Sequence, residues 1–192
     1  MNALRNALIF SAFVLAGCGP PWKVVVQANP DPMLGQKRFA VLPVDFQGLR
    51  VGEKSEEEYL AEKDGEQQQS FVSDLKSMNE AFTSELIKTA HEEGLDVVLA
   101  TGPGAAPFEL RPHIPFIEPG YFVGVSSRAS RTDLSLVIAS PDGQVIDQIN
   151  MKHATGGSFS TPSITLRLQQ DAKALGAYTA RYLKYRSTGT MD

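Results

Sequence analysis

Residues 39–46, Phe-Ala-Val-Leu-Pro-Val-Asp-Phe, of this 192-residue chain are apolar on both alternating faces as far as Pro43. Such a run predicts a strand that is buried inside a sheet and ends near Phe46. Apolar residues then recur at steps of three and four, which predicts one amphipathic helix over 67–93 that is stopped by Gly94. Its apolar stripe is Phe71, Leu75, Met78, Phe82, Leu86 and Ala90. The next apolar run, 96–100, predicts a second buried strand, so this order indicates a βαβ crossover with parallel strands.

The second half of the chain predicts antiparallel strands followed by a helix. Five prolines within 103–119 favour a loop or an irregular edge strand, because proline cannot donate to a neighbouring strand. Apolar runs predict strands over 121–126, 134–139 and 145–152. Pro141-Asp142-Gly143 predicts the hairpin turn between the last two, and a final amphipathic helix is expected after Thr161-Pro162-Ser163. The expected fold class is α/β (α+β): a mixed sheet with a β-α-β start, antiparallel strands, and a long N-terminal and a C-terminal helix packed on the sheet.

The first 17 residues predict a secretory signal peptide. Arg5 makes the start weakly basic, and residues 7–17 are apolar apart from Ser11. As a helix this run would reach roughly 15 Å, about half of the ~30 Å hydrocarbon core, so it is too short to span a membrane. It ends in Leu15-Ala16-Gly17-Cys18, which contains the only cysteine of the chain. This box resembles the lipobox of bacterial lipoproteins, and the resemblance implies cleavage before Cys18, which would then carry a diacylglycerol and palmitate.

Cysteine is the residue type that such lipidation needs. A thioether to a diacylglycerol requires a nucleophilic sulfur, and the thiolate is the best nucleophile among side chains. One acyl chain binds a membrane only reversibly, with a constant on the order of 10⁴ M⁻¹, so stable anchoring needs the two or three chains that the resemblance implies. Gly19 stands where an Asp signals inner-membrane retention in well-studied Gram-negative bacteria, so the periplasmic face of the outer membrane is the expected location. The alternative is an unmodified cysteine in a cleaved signal peptide or in a buried first helix.

The expected organisation has four parts: a signal peptide (1–17), a lipidated Cys with a Pro-rich tether (18–37), a single α/β domain (38–186) and a frayed tail (187–192). Within the tether, Val24-Val25-Val26 has two interpretations, a short strand or an apolar patch on the linker. Of the 18 basic and 22 acidic side chains, cleavage would remove only Arg5, leaving a net charge near −5. A mildly acidic chain without basic clusters argues against nucleic-acid binding.

The sequence contains no recognisable catalytic motif. His91, His113 and His153 are scattered and lack the spacing of a metal site, so neither a metal nor a cofactor is expected. Residues 101–104 are rich in glycine but lack the Lys and Ser/Thr of a phosphate loop, and they predict a turn. We therefore expect a protein that is not an enzyme.

Two segments are candidates for partner binding. The acidic stretch 47–66 is either a solvated loop or short surface helix, or a docking surface for a basic partner. Its candidate contacts are Glu56, Glu57 and Glu58. The Pro-rich 103–119 segment and its flank are expected to expose Phe108, Phe116 and Tyr121.

The order of these segments is similar to that of a group of bacterial envelope lipoproteins. The resemblance lies in the strand 39–46, the long helix, the Val-Val-Leu strand, the stretch 114–120, and a Pro-Asp-Gly turn followed by a Gly-Gly loop. The group includes the outer-membrane activators of penicillin-binding proteins, the curli secretion lipoprotein, the N-terminal domain of the Tol-system translocation protein and several uncharacterised families. The resemblance covers about residues 38–185 and implies an α/β domain in an envelope scaffold or regulator. It supplies no catalytic residues, and the absence of a curli-type transmembrane hairpin argues against a pore.

The resulting hypothesis is a non-enzymatic lipoprotein, anchored to the outer membrane through Cys18, that binds or scaffolds another envelope protein. Two alternatives stay open. The first is a subunit of an envelope secretion or motility assembly, which would form an oligomer. The second is a periplasmic small-molecule binder or enzyme, which would need a concave pocket with convergent polar groups.

Overall fold

The computed structural model describes residues 19–100 and 104–190. These residues form a mixed sheet with two long helices on one face, which confirms the expected fold class. In chain order the strands are β1 (Trp22–Gln27), β2 (Arg38–Val41), β3 (Arg50–Val51), β4 (Lys54–Ser55), β5 (Asp96–Leu99), β6 (Glu109–Glu118), β7 (Tyr121–Phe122), β8 (Ser127–Arg128), β9 (Arg131–Ala139) and β10 (Val145–His153). The helices are α1 (Glu56–Ala61), α2 (Gly65–Glu92) and α3 (Ile164–Thr188). The main sheet has the order β1-β10-β9-β6-β2-β5, and the short pair β3-β4 joins it beside β6.

The predicted βαβ crossover is confirmed. β2 and β5 are parallel, with Phe39 opposite Val97, and α2 connects them across one face of the sheet. α2 begins after Asp64, whose carboxylate accepts the backbone N–H of Gln67 at 2.9 Å. It ends just before Gly94, which takes a φ of 76° that other residues rarely adopt.

β6 corrects the expectation for the Pro-rich segment. It is neither a loop nor an edge strand, because it lies inside the sheet between β9 and β2. The carbonyl of Pro112 accepts the N–H of Asp45 at 2.9 Å, at a point where β2 has already ended. Pro115 falls in the register break of the β6–β9 pairing, between His113 and Phe116. Pro112 and Pro115 therefore each lie where the backbone hydrogen bonding to a neighbouring strand is interrupted. A central strand can accommodate proline at such positions.

The hairpin predicted at Pro141-Asp142-Gly143 joins β9 to β10. A bulge between Val145 and Asp147 shifts the register of β10. Ile146 and Asp147 are consequently both buried, whereas Val145 is exposed. The bulge explains why the apolar alternation of this strand is imperfect in the sequence.

The two long helices lie side by side and approach each other most closely at Gly176 of α3. A Cβ atom there would lie 2.4 Å from the carbonyl oxygen of Phe82 in α2, so the crossing requires glycine. Within the described residues, neither these helices nor α1 combine the length and hydrophobicity that a membrane span needs. The core between the helices and the sheet contains fully buried side chains, among them Phe39, Phe82, Leu110, Leu136, Ile149 and Leu183.

The N-terminal segment differs from the expected tether over 18–37. β1 pairs with β10 and extends the sheet, so the strand interpretation of the three valines is the one that the structure adopts. The ring of Trp22 packs edge-on against Tyr182 of α3 at 5.4 Å, and Met33 is fully buried. Most of this segment is therefore part of the domain, because β1 pairs with the sheet and Trp22 and Met33 pack in or against the core.

The expected frayed tail over 187–192 also differs from the structure. α3 continues to Thr188, and Gly189 closes it with a left-handed φ of 74°. The carbonyl of Ser187 accepts the N–H of Gly35 at 2.9 Å. Residues 191–192 lie outside the described part of the chain.

The second face of the sheet is largely uncovered in the part of the chain that the structure describes. On this face Ala40 of β2 packs with Ala100 and Ala106 in a small apolar cluster. Among residues 19–100 and 104–190, no helix lies on this face over β1, β10, β9 and β6, and the side chains there are mostly polar.

We expect Gly176→Ala to destabilise the protein by about 1–3 kcal/mol, the usual cost of overpacking, because the added methyl would overlap the backbone of α2. Gly65→Ala is the matched control, since nothing lies within 4 Å of a Cβ at the first residue of α2 and alanine is the better helix former. Urea unfolding measures both changes. Equal midpoints for the two variants would contradict the close helix crossing.

Candidate functional site

A row of polar side chains crosses the uncovered face through four neighbouring strands. The register places Lys23 of β1 beside Asn150 of β10. Asn150 in turn lies beside Ser135 of β9, and Ser135 lies beside His113 of β6. With neighbouring strands about 4.8 Å apart, the row is about 15 Å wide and offers an ammonium, an amide, a hydroxyl and an imidazole in line.

This row forms the floor of an open groove of about 910 Å³. That volume lies within the range of roughly 300–1,000 Å³ found for small-molecule sites. The amide of Gln148 donates to Oγ of Ser135 at 3.3 Å. Nε2 of His113 lies 3.0 Å from the carbonyl oxygen of Gln47, which can only accept, so this nitrogen carries the proton. The groove therefore has polar groups of fixed orientation.

The groove is basic although the chain is acidic. Lys23, Arg131 and Lys152 line it together with one carboxylate, Asp133. Nε of Arg131 donates to Asp133 at 2.7 Å, and the guanidinium lies over the ring of Phe116 at 5.1 Å. Because the groove has three basic side chains and one carboxylate, it suits a partner with negative charge.

One end of the groove lies at the start of β1. Pro20 and Pro21 line it beside Lys23. The described chain starts at Gly19, so the groove opens within a few residues of position 18.

A buried carboxylate, Asp147 of β10, ties the sheet to α3 and to the N-terminal segment. It accepts the backbone N–H of Ala28 at 3.1 Å and the hydroxyl of Tyr182 at 2.5 Å. The guanidinium of Arg186 lies 2.8 Å from the same carboxylate and 2.9 Å from Asp31, so it forms ion pairs with both. Three separate parts of the chain therefore meet at one buried charge.

The same cluster perturbs Tyr182. Burial of the ring and the hydrogen bond to Asp147 raise the pKa of the hydroxyl above its ordinary value of 10.0. A raised pKa stabilises the folded state below the ordinary pKa. That contribution is lost as the pH rises above about 10, because the unfolded chain ionises this tyrosine first.

A second buried carboxylate, Asp171 of α3, holds the loops at one end of the sheet. It accepts the hydroxyls of Ser130 at 2.7 Å and Thr155 at 2.6 Å, and Nδ1 of His153 lies 2.9 Å away. A histidine oriented by a carboxylate provides two of the three groups of a catalytic triad, and the third is a hydroxyl that donates to the imidazole. Here both nearby hydroxyls donate to Asp171 and not to the imidazole. The arrangement therefore fixes the backbone of the loops and does not activate either hydroxyl.

The lipobox residues Leu15, Ala16, Gly17 and Cys18 lie outside the described residues. Their lipidation stays a prediction.

The acidic residues Glu56, Glu57 and Glu58 form the first turn of α1. Oγ of Ser55 accepts the N–H of Glu58 at 3.2 Å, and the carboxylate of Glu58 accepts the N–H of Ser55 at 2.8 Å. These hydrogen bonds hold the pKa of Glu58 below its ordinary value. Capping and the helix dipole are sufficient reasons for three acids here, and their role in partner binding stays a prediction.

The expectation that Phe108 is exposed is wrong. Its side chain is buried, with the ring 6.2 Å from that of Phe39, because residue 108 leads into the central strand β6. Phe116 is half-buried beneath the guanidinium of Arg131, which lines the groove. Tyr121 is 46% exposed on the β7–β8 hairpin, outside the groove, and its hydroxyl lies 3.2 Å from Oγ of Ser126.

Sequence reasoning misses the groove, although the strands carry a signal for it. Polar residues alternate with apolar ones along β9, where Asp133 and Ser135 flank Leu134. This alternation is typical of a sheet with one open face. Residues 19–100 and 104–190 contain no group of three His, Cys, Asp or Glu side chains that could hold a metal ion.

Comparison with known proteins gives a structural likeness at low identity. No family model matches the chain, and no curated protein matches it significantly. The PelC dodecamer from Paraburkholderia phytofirmans (space group P6) is 10% identical, with 82% of this chain and 96% of that chain covered and a TM-score of 0.44. A variant of that dodecamer (space group C2) is 11% identical, with 82% and 94% covered and a TM-score of 0.44. The hypothetical protein CT253 from Chlamydia trachomatis is 12% identical, with 76% and 96% covered and a TM-score of 0.44.

We expect Asp147→Asn to lower the free energy of unfolding by about 3 kcal/mol. This is the lower end of the range for breaking a buried ion pair, because Asp31 still pairs with Arg186. Asp133→Asn is the matched control, since its partly exposed pair with Arg131 should contribute at most about 1 kcal/mol. Denaturant unfolding gives both values. A loss at Asp147 no larger than that at Asp133 would refute its role as the junction.

Proposed function

We propose that this chain is a non-enzymatic lipoprotein of the bacterial cell envelope, anchored through acyl chains on Cys18 at the periplasmic face of the outer membrane. In this proposal it binds another envelope component through the groove on the uncovered sheet face. The observation that carries the proposal is the docking of the N-terminal segment. β1 is paired with β10 and starts at Trp22, four residues after Cys18. Four residues reach at most about 14 Å, so a lipid on Cys18 would hold the groove close to the membrane surface.

The chemistry of the groove supports a polar, negatively charged partner. Asn150 and Ser135 provide hydrogen-bonding groups on a rigid strand pair, while Lys23 and Lys152 provide exposed positive charge. Charged groups of this kind steer association and set specificity. The similarity in element order to envelope scaffolds and regulators supports the same role.

One alternative has an observation in its favour. The volume of the groove, about 910 Å³, and its converging polar groups suit a small anionic ligand as well as a segment of a protein. In that case the protein would be a periplasmic small-molecule binder anchored in the same way.

Cys18→Ala should release the protein from membranes and abolish palmitate labelling, because no other cysteine can take the acyl chains. Membrane fractionation with radiolabelled palmitate measures both effects. Gly19→Ala is the control, since it alters the neighbouring residue and leaves the sulfur in place. Unchanged membrane association of Cys18→Ala would refute the anchor.

A photo-crosslinking amino acid at Asn150 should give an adduct with a specific envelope protein in cells, because this residue lies on the groove floor and is exposed. The matched position is Val72, which is 60% exposed on α2, on the opposite face of the sheet. Immunoblotting and mass spectrometry identify the adducts. No adduct from Asn150 beyond those from Val72 would contradict protein binding at the groove and favour the small-ligand alternative.

A further inference from the structure

One end of the sheet carries exposed apolar side chains at the tips of two loops. The β7–β8 hairpin carries Val125, which is fully exposed, and Val123, which is 66% exposed. The loop after β10 carries Phe159, which is 87% exposed. We call the set Tyr121, Val123, Val125 and Phe159 the apolar end. Exposed apolar side chains that form a contiguous patch mark interaction sites.

The two loops that form the apolar end contact each other. The rings of Phe122 and Phe159 meet edge to face at 5.2 Å, which joins the hairpin to the loop. A Cβ at Gly157 would lie 3.0 Å from the carbonyl oxygen of Tyr121, so the two backbones are in close contact. Within the hairpin, the N–H of Val123 donates to the carbonyl of Ser126 at 3.0 Å.

Two buried charges of α3 fix the bases of these loops. The guanidinium of Arg167, fully buried, donates to the carbonyls of Thr161 and Pro162 at 3.1 and 2.8 Å, and to that of Pro119 at 3.2 Å. Asp171 holds Ser130 and Thr155, as described above. Hydrogen bonds of two buried charged groups therefore tie the loops that carry the exposed side chains to α3.

The topology places the apolar end beside the predicted anchor. β6 ends, β9 begins and β10 ends at the same end of the sheet, where Glu118 pairs with Arg131 and Thr132 pairs with His153. β1 begins at this end of the sheet as well, since Trp22 pairs with Met151. Cys18 lies within about 14 Å of Trp22 along the chain. The opposite end of the sheet carries the polar hairpin tip around Asp142.

We propose that the apolar end inserts into the interfacial region of the lipid bilayer that holds the anchor and forms a second membrane contact. The proposal rests on the proposed function in one respect: the lipid on Cys18 brings this end to the bilayer. Valine and phenylalanine side chains at projecting tips are suited to the acyl boundary, and tyrosine is typical of the membrane interface. The strands would then stand upright on the membrane, with the groove opening sideways into the periplasm.

The single cysteine of the chain makes a direct test possible. The sulfur of Cys18 is consumed by lipidation in the proposed function, so Val125→Cys introduces the only free thiol. Val145→Cys is the matched control, because Val145 is 47% exposed at the other end of β10, about 27 Å from His153 along the strand. Each protein is expressed as the full chain in bacterial cells, purified, labelled with a polarity-sensitive fluorophore and mixed with phosphatidylethanolamine and phosphatidylglycerol vesicles that have brominated acyl chains.

We expect the label at position 125 to shift to the blue and to be quenched by brominated lipid several-fold more strongly than the label at position 145. Equal, weak quenching at both positions in floating vesicles would overturn the proposal. A blue shift at position 125 without bromine quenching would mean that a protein or a second copy of the chain covers the apolar end, and it would also overturn it.

Failure of the anchor gives a different result. Both labelled proteins would then carry no palmitate and would remain at the bottom of the flotation gradient. That outcome refutes the proposed function together with the inference, whereas flotation without quenching refutes the inference alone.

Discussion

The ion pair between Asp147 and Arg186 is the contact on which the position of the N-terminal segment depends. A buried carboxylate and a buried guanidinium are costly unless each is paired and hydrogen-bonded. Here the partners come from β10, from α3 and from the chain around Ala28 and Asp31, so the charges are satisfied only when these parts are together. The segment that the prolines mark as a linker is thereby held against the domain, and β1 takes its place at the edge of the sheet.

A second consequence follows from the one-sided arrangement of the helices. The absence of a Cβ at Gly176 lets α2 and α3 pack closely on a single face, and in the described part of the chain the opposite face of β1, β10, β9 and β6 is open. The groove is part of that open face. The apolar end lies where β6, β9 and β10 meet their loops, and α3 fixes it through Arg167 and Asp171. In our proposals, the anchor, the groove and the apolar end are therefore oriented by the same helix and sheet.

The sequence predicts the helices and strands of this fold better than it predicts which of them lie next to each other. The spacing of Phe71 to Ala90 and the turn at Pro141-Asp142-Gly143 are local patterns, and both predicted elements are confirmed. The central position of β6 is not a local property, because it depends on gaps in the ladders beside Pro112 and Pro115 that only the tertiary structure creates. Phe108 is buried for the same reason, because it leads into this central strand.

In the candidate site, too, the sequence predicts local patterns but not the contacts between distant parts of the chain. Alternating polar residues in β9 and β10 are visible in the sequence, but their alignment into one row depends on the register of four strands. Arg186 stands in the last turn of α3, where a cation favours the helix dipole, and nothing local indicates its pairing with an acid 39 residues away. Lipidation of Cys18 stays a prediction. The measurement that most directly tests the account is neutron reflectometry of the lipidated protein on a supported bilayer. Protein density is expected to begin within about 14 Å of the headgroups. A hydrated gap of roughly 25 Å, the size of a flexible 20-residue tether, would contradict it.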